Sequence, residues 1–206
     1  MTDNAAHDTF EAWLVDLDGT LYRPRPLKLM MALSVVLLGW RHISLLRRFR
    51  REHEALREHL SEAVDSPYAI QIARTASALD IPEAEVQRVV TRWMVERPGR
   101  FINWFQRRAL LREIRHFREA GGKTALVSDY PARHKLQALG ASDLFDAVVA
   151  NGEPGGPARL KPWPDGYLKA AELLGVDASR CLVIGDRPDA DGAAARFAGM
   201  AFRRIG

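Results

Sequence analysis

The chain has 206 residues, of which 47% are hydrophobic and 27% charged, with a formal net charge of +4 and a single cysteine. That length can bury one good core with room for a smaller satellite, and the balanced composition excludes low-complexity, fibrous and disordered classes. One cysteine cannot form an internal disulfide, and the polar N-terminus, Met1 to Asp8, lacks the basic-then-apolar layout of a signal peptide, so a cytoplasmic protein is expected.

The first strong signal in chain order is Ala12-Trp13-Leu14-Val15, an apolar run that reads as a buried strand and leads straight into Asp16-Leu17-Asp18-Gly19-Thr20. Alternation puts Asp16 and Asp18 on the same side of an extended chain, close enough to repel. A cation between them, or a reaction that uses both, would relieve the repulsion. Gly19 lets the backbone turn sharply and expose its N–H groups. An Asp-Gly turn is also ordinary chemistry at a strand end, so this segment alone leaves both readings open.

From Leu21 to about Pro98 no convincing strand follows. Helical periodicity runs from Leu27 to Leu60 and continues through Thr75–Leu79 and Glu83–Val95, with Ser66-Pro67, Ile81-Pro82 and Arg97-Pro98-Gly99 as starts and breaks. Within this insert Leu29–Leu38 is almost wholly apolar, Ser34 being the exception, and is followed by Trp40 and the basic tail Arg41–Arg51. Ten residues are too few to span a bilayer, which needs roughly twenty. The run is expected to be a helix buried in the insert's own core. The alternative is an apolar lid or interfacial helix that touches a lipid-like substrate or a membrane surface, its arginines meeting anionic headgroups.

Basic charge concentrates in Arg41–Arg57 and Arg107–Arg118, where Arg alternates with Glu and apolar residues at helical spacing. These stretches read as solvated helix faces. No helix-turn-helix, zinc-ligand or RNP-type pattern accompanies them, and nucleic acid is disfavoured as a partner.

The last part of the chain alternates. Thr124–Val127, Ala147–Val149, Cys181–Ile184 and Met200–Phe202 read as strands, with Cys181 buried in one of them. Ala109–Glu119, Arg133–Leu139 and Gly166–Leu174 read as amphipathic helices, and Gly121-Gly122, Gly140 and Gly175 fall at helix C-termini. Strand–helix repetition with short links implies parallel pairing by right-handed crossovers. The class is therefore α/β, with an all-helical insert after the first strand. That insert sits at a carboxyl strand end, where open α/β sheets bind their ligands.

Three further signals lie at later strand ends: Ser128-Asp129, Lys161-Pro162 after a Gly/Pro loop (Asn151–Pro157), and Gly185-Asp186-Arg187-Pro188-Asp189-Ala190-Asp191. Each has an ordinary reading as a helix cap or a solvated loop residue. Jointly they put carboxylates, a hydroxyl and a lysine at one edge of one sheet.

The order Asp-x-Asp-Gly-Thr, Ser, Lys-Pro, Gly-Asp-x₄-Asp resembles the four sequence motifs of the haloacid dehalogenase-like (HAD) hydrolase superfamily, from Val15 to Met200. The resemblance implies a Rossmann-like parallel-sheet core of residues 1–21 and 99–206, with residues 22–98 as an α-helical cap. It implies Asp16 as nucleophile, forming an aspartyl-phosphate, and Asp18 as acid and then base, its pKa raised by its acidic neighbourhood. It places Ser128, Lys161 and Thr20 at the substrate phosphate. Mg²⁺ would be held by Asp16, Asp186 and the backbone carbonyl of Asp18. Asp191 would orient Lys161 or a metal-bound water, and Asp189 would cap a helix.

Relatives that cleave carbon–halogen or phosphonate bonds lack the second aspartate, so Asp18 points to phosphate esters. The implied activity is Mg²⁺-dependent hydrolysis of a small phosphorylated metabolite. The alternatives are a phosphomutase with the same intermediate, or a protein that binds a membrane or partner and acts on an amphiphilic phosphate or without catalysis. Arg23, Arg25, Trp40 and Arg41 are candidate contacts for the leaving group, and Trp163 is either an entrance residue or ordinary packing.

Overall fold

The computed structural model describes residues 10–60 and 62–206, so the lead-in Met1–Asp8 lies outside the described residues. Strands β1 (Ala12–Asp16), β2 (Lys123–Ser128), β3 (Ala147–Ala150), β4 (Cys181–Gly185) and β5 (Ala201–Arg204) form one parallel sheet in the order β3-β2-β1-β4-β5. This is the expected α/β Rossmann-like fold. β1 is central and wholly buried, which explains its unbroken apolar run.

Side chains alternate between two cores, as a period of two requires. Trp13, Val15, Leu126 and Ile184 pack on helices α6 (Arg108–Glu119) and α7 (Arg133–Leu139) through Ile114, Phe117 and Leu136. Leu14, Val127, Val149 and Val183 face α8 (Asp165–Leu174) and α9 (Ala193–Phe197) through Tyr167, Ala170 and Ala194. β2 and β3 lie on one side of β1, and β4 and β5 on the other. The strand order thus reverses between β1 and β4, and a crevice opens at their carboxyl ends.

After β1 the described residues form α1 (Pro24–Leu38), α2 (Ile43–His59), α3 (Pro67–Leu79), α4 (Glu83–Val90) and, beyond a π-helical turn at Thr91–Glu96, α5 (Arg97–Ile102), ahead of α6. At the start of α3 the Ser66 hydroxyl accepts a bond from the Ala69 N–H at 3.2 Å, and Pro67 takes the first helical position. α2, α3, α4 and the π turn share a core of their own, built on Leu45, Phe49, Ile72, Val86, Val90 and Trp93. α5 runs across position 98/99, and its Ile102 joins Leu27 of α1 in the cluster under the sheet.

The apolar run Leu29–Leu38 is not the insert's core. Only Leu27 of α1 is buried. Met30, Met31 and Val35 are partly covered, whereas Leu29, Leu33, Val36, Leu37 and Leu38 are 59–73% exposed. The reason is geometric: α2, α3 and α4 fill that core between them, and α1 lies alongside with one face to offer. The basic stretches also divide. Arg47, Arg50 and Arg51 are solvated as expected, but Arg57 is buried.

Candidate active site

Asp16 ends β1 in the crevice and is buried. Both of its carboxylate oxygens have donors: Lys161 Nζ at 2.6 Å from Oδ1, and the hydroxyl of fully buried Thr20 at 2.9 Å from Oδ2. Lys161 Nζ also lies 2.8 Å from Asp191 Oδ1 and donates to the Val127 carbonyl at 3.1 Å. Asp191 is held in turn by the Tyr167 hydroxyl at 2.8 Å and the Arg187 N–H at 3.1 Å. Asp191 can approach because Gly185 has no side chain; a Cβ there would lie 2.4 Å from Asp191 Oδ2. Burial pushes the Asp16 carboxyl up to about 8; Lys161 opposes this, and the charge of Asp191 adds to it. Burial would lower the Lys161 ammonium, but Asp16 and Asp191 more than reverse it and raise its pKa.

Asp186 follows β4, the strand beside β1. Burial raises its pKa, and Asp191 reinforces the shift. One oxygen each from Asp16, Asp186 and Asp191 lie within 4.8 Å of one another, and Oδ1 of Asp186 is buried with no hydrogen-bond partner. A buried carboxylate oxygen without a donor is costly, and the raised pKa values of Asp16 and Asp186 reflect burial and the crowding of three carboxyl groups around one ammonium. A hard divalent cation with oxygen ligands fits this donor set. Asp16 and Asp186 of the expected metal set are in this group; the expected ligand from Asp18 is its backbone carbonyl, and its carboxylate is turned elsewhere.

Gly19 makes the turn with φ +107°, and a Cβ on it would fall 2.2 Å from Asp186 Oδ2. Gly19→Ala is therefore expected to cost about 1–3 kcal/mol through the strained backbone alone. It should also push Asp186 out of the carboxylate group. Thermal melting checks the first effect, and the second is checked by whether the variant loses any stabilisation that added Mg²⁺ gives the wild type.

Asp18 has different partners. Lys135 Nζ lies 2.6 and 2.9 Å from its two oxygens, and the Tyr22 hydroxyl donates to Oδ1. Burial pushes the Asp18 carboxyl up, but Lys135, helped by Tyr22, outweighs it and holds the group below the usual carboxylate range. The upward shift expected from an acidic neighbourhood is thus corrected: the nearest charge is a buried lysine on α7. Lys135 lies one helical turn from Ala132 and from Leu139, both buried, so its place on an apolar helix face was the available signal. No comparable signal marks Tyr22.

The sequence matches the haloacid dehalogenase-like hydrolase family over residues 10–199. The chain belongs to that family. Hexitol phosphatase A of Escherichia coli (strain K12) is 36% identical over 80 residues, which cover 36% of this chain and 34% of that protein. The match thus spans about a third of that relative's length. Among solved structures, L-2-haloacid dehalogenase from Xanthobacter autotrophicus is similar, with a TM-score of 0.62 and 19% identity over 95% of this chain and 77% of that one. A HAD hydrolase, family IA, variant 3, from Entamoeba histolytica HM-1:IMSS gives 0.58 and 17% over 95% and 84%. At these identities the likeness is one of fold.

The remaining site candidates of this HAD-like hydrolase fall on both sides of the crevice. Ser128 ends β2, one residue past Val127, the register partner of Asp16, and its buried hydroxyl accepts from the Tyr130 N–H at 3.2 Å. Ser128 and Asp129 do not cap α7. The Glu153 carboxylate does, accepting from the Ala132 and Arg133 N–H groups at 2.7 and 2.8 Å. Asp129 instead accepts from the Lys161 N–H at 3.2 Å and faces Arg57 at 4.0 Å.

Arg57 reaches in from α2 and donates to the Lys161 carbonyl at 2.8 Å, while His53, a turn earlier, stacks on Tyr130. The insert therefore meets the motif loops through Arg57 and His53, which sequence reasoning missed. Arg23, Arg25, Trp40 and Arg41, the expected contacts, are exposed. Asp189 does not cap a helix but pairs with Arg187 at the surface at 2.9 Å. Trp163 packs under Arg159, 4.3 Å from its ring centroid.

Proposed function

We propose that this HAD-like hydrolase is a phosphomonoesterase that works through an aspartyl-phosphate on Asp16. The observation that carries the reading is a carboxylate already oriented by Lys161 and Thr20, with a second aspartate two residues along the chain. The name of the Escherichia coli relative, a hexitol phosphatase, favours a phosphate ester over a halide.

In the proposed reaction an oxygen of Asp16 attacks phosphorus in line, and the bond to the leaving oxygen breaks as the new P–O bond forms. Asp18 gives its proton to the leaving oxygen. A water then attacks the acyl phosphate, Asp18 takes back a proton, and phosphate departs with Asp16 regenerated. Lys135 favours the ionised form of Asp18, which suits the second step. For the first step, an incoming phosphate dianion favours the protonated form through like-charge repulsion.

Ser128 and Lys161 bind phosphoryl oxygens, Lys161 as a point charge kept in place by Asp191. Asp16 and Asp186, with the backbone carbonyl of Asp18, would hold Mg²⁺, which when bound neutralises charge on the transferring phosphoryl group. Residues 22–98 act as the cap that selects the leaving group of a small phosphorylated metabolite.

The test is phosphate release from an aryl phosphate with Mg²⁺ present. Chelation should lower the rate by about 10²-fold or more, and fresh Mg²⁺ should restore it. A rate indifferent to chelator would count against the reading. A panel of sugar, nucleotide, glycolate and prenyl phosphates identifies the substrate class. A sugar phosphate isomerised faster than it is hydrolysed would transfer the reading to a mutase.

A further inference from the structure

α1 is apolar on both faces, and only one is covered. Leu27, Met30, Met31 and Val35 follow helical spacing toward the protein. Opposite them Leu29, Leu33, Val36 and Leu37 form a second stripe at the same spacing, 59–73% exposed, and Trp40 extends it at 63%. Trp104, 72% exposed, stands by the other end, where it lines a surface hollow with Arg23 and Pro26. An exposed apolar patch of this kind marks a contact surface.

The charge around the stripe selects the partner. Residues 19–51 contain eight Lys or Arg and no Asp or Glu. Arg25 and Lys28 are exposed at the beginning of the stripe, and Arg41 lies over the Trp40 ring at its end. A second copy of the chain docked through the same face would bring these cations together without an acid between them. A lipid surface with anionic headgroups matches them. Apolar side chains enter the acyl boundary, tryptophans sit at headgroup level, and arginines meet phosphates.

We infer that α1 docks this protein onto the surface of an anionic phospholipid bilayer. The helix lies on the membrane and does not cross it. Among the described residues no single helix is long and apolar enough to span. α1 and the segment Trp40–His59 pass that test only as a pair bent by 107°. α2 cannot straighten into lipid, because Leu45, Leu46, Phe49 and Leu56 are buried on its inner side. The inference does not depend on the reaction proposed at Asp16.

Co-sedimentation of the full chain with vesicles tests the inference. Binding is expected to vesicles of phosphatidylcholine with phosphatidylglycerol, to be much weaker with phosphatidylcholine alone, and to fall as salt is raised. The double variant Leu33→Ser/Leu37→Ser should lower the partition coefficient by roughly ten- to a hundredfold. It should keep the wild-type melting temperature, since both side chains are exposed. A wild-type chain that stays in the supernatant with every vesicle overturns the inference, as does a double variant that binds like wild type. A concentration-dependent dimer in light scattering, abolished by the double variant, would assign the face to a second copy and overturn it equally.

Discussion

Asp16→Asn is expected to lower turnover of any phosphate ester by roughly 10⁴- to 10⁶-fold while leaving the fold intact. The amide has the shape of the carboxylate but no anionic oxygen to attack phosphorus. The rest of the site should hold, because Lys161 keeps Asp191 at 2.8 Å and the Val127 carbonyl at 3.1 Å. The substitution also removes one of the carboxylates crowded into this pocket, where burial already pushes Asp16 up to about 8. Melting without metal should therefore shift by only a few degrees, about 1 kcal/mol or less. Phosphate release, intact mass for a phosphoryl adduct and a melting curve measure the three consequences. A folded variant that keeps more than about a tenth of the activity would remove Asp16 from the nucleophile's role.

The sheet was legible because its strands are buried on both faces and leave almost continuous apolar runs. Ala12–Val15 and Cys181–Ile184 are of this kind, and the glycines at 140 and 175 mark helix ends with positive φ. The same rule misled at α1. A continuous apolar run implies burial only where enough neighbours exist to cover it, and the sequence does not say that Phe49, Ile72 and Trp93 already complete the insert's core. Periodicity gives the faces of a helix but not which face finds a partner.

The site divides along a similar line. Asp16, Thr20 and Asp186 stand at or just past strand ends, where the strand pattern alone brings them to one edge, and Lys161 and Asp191 follow in the segments that leave β3 and β4. Lys135, Tyr22 and Arg57 stand on helices or in a connecting segment. Whether a helical lysine or arginine points inward depends on the angle at which its helix packs. Arg57 is the clearest case. It ends a run of solvated arginines, yet one turn of α2 carries it to the carbonyl of Lys161, 104 residues away in sequence. The electrostatics of Asp18 were unreadable for that reason. The charge nearest it in sequence is Asp16, whereas its partner in space is Lys135.

Asp18→Asn is the second large effect, and it should depend on the leaving group. An alkyl ester needs a proton on its departing oxygen, so its hydrolysis should fall by about 10²- to 10⁴-fold. An aryl ester with a stable phenolate leaves without that proton, and its first step should survive. The second step should not, because no carboxylate is left to take the proton from water. The expected trace is a burst of about one equivalent of phenol, then slow turnover as the aspartyl-phosphate accumulates. The amide would also leave the buried Lys135 without its anion, which destabilises the chain whatever the chemistry. The double variant Asp18→Asn/Lys135→Met separates the two effects. If Asp18 serves the reaction, the double variant regains thermal stability but not turnover of alkyl esters. Recovery of both, or equal losses on aryl and alkyl esters without a burst, would make Asp18 an anchor for Lys135 and α7 and take it out of the proton transfers.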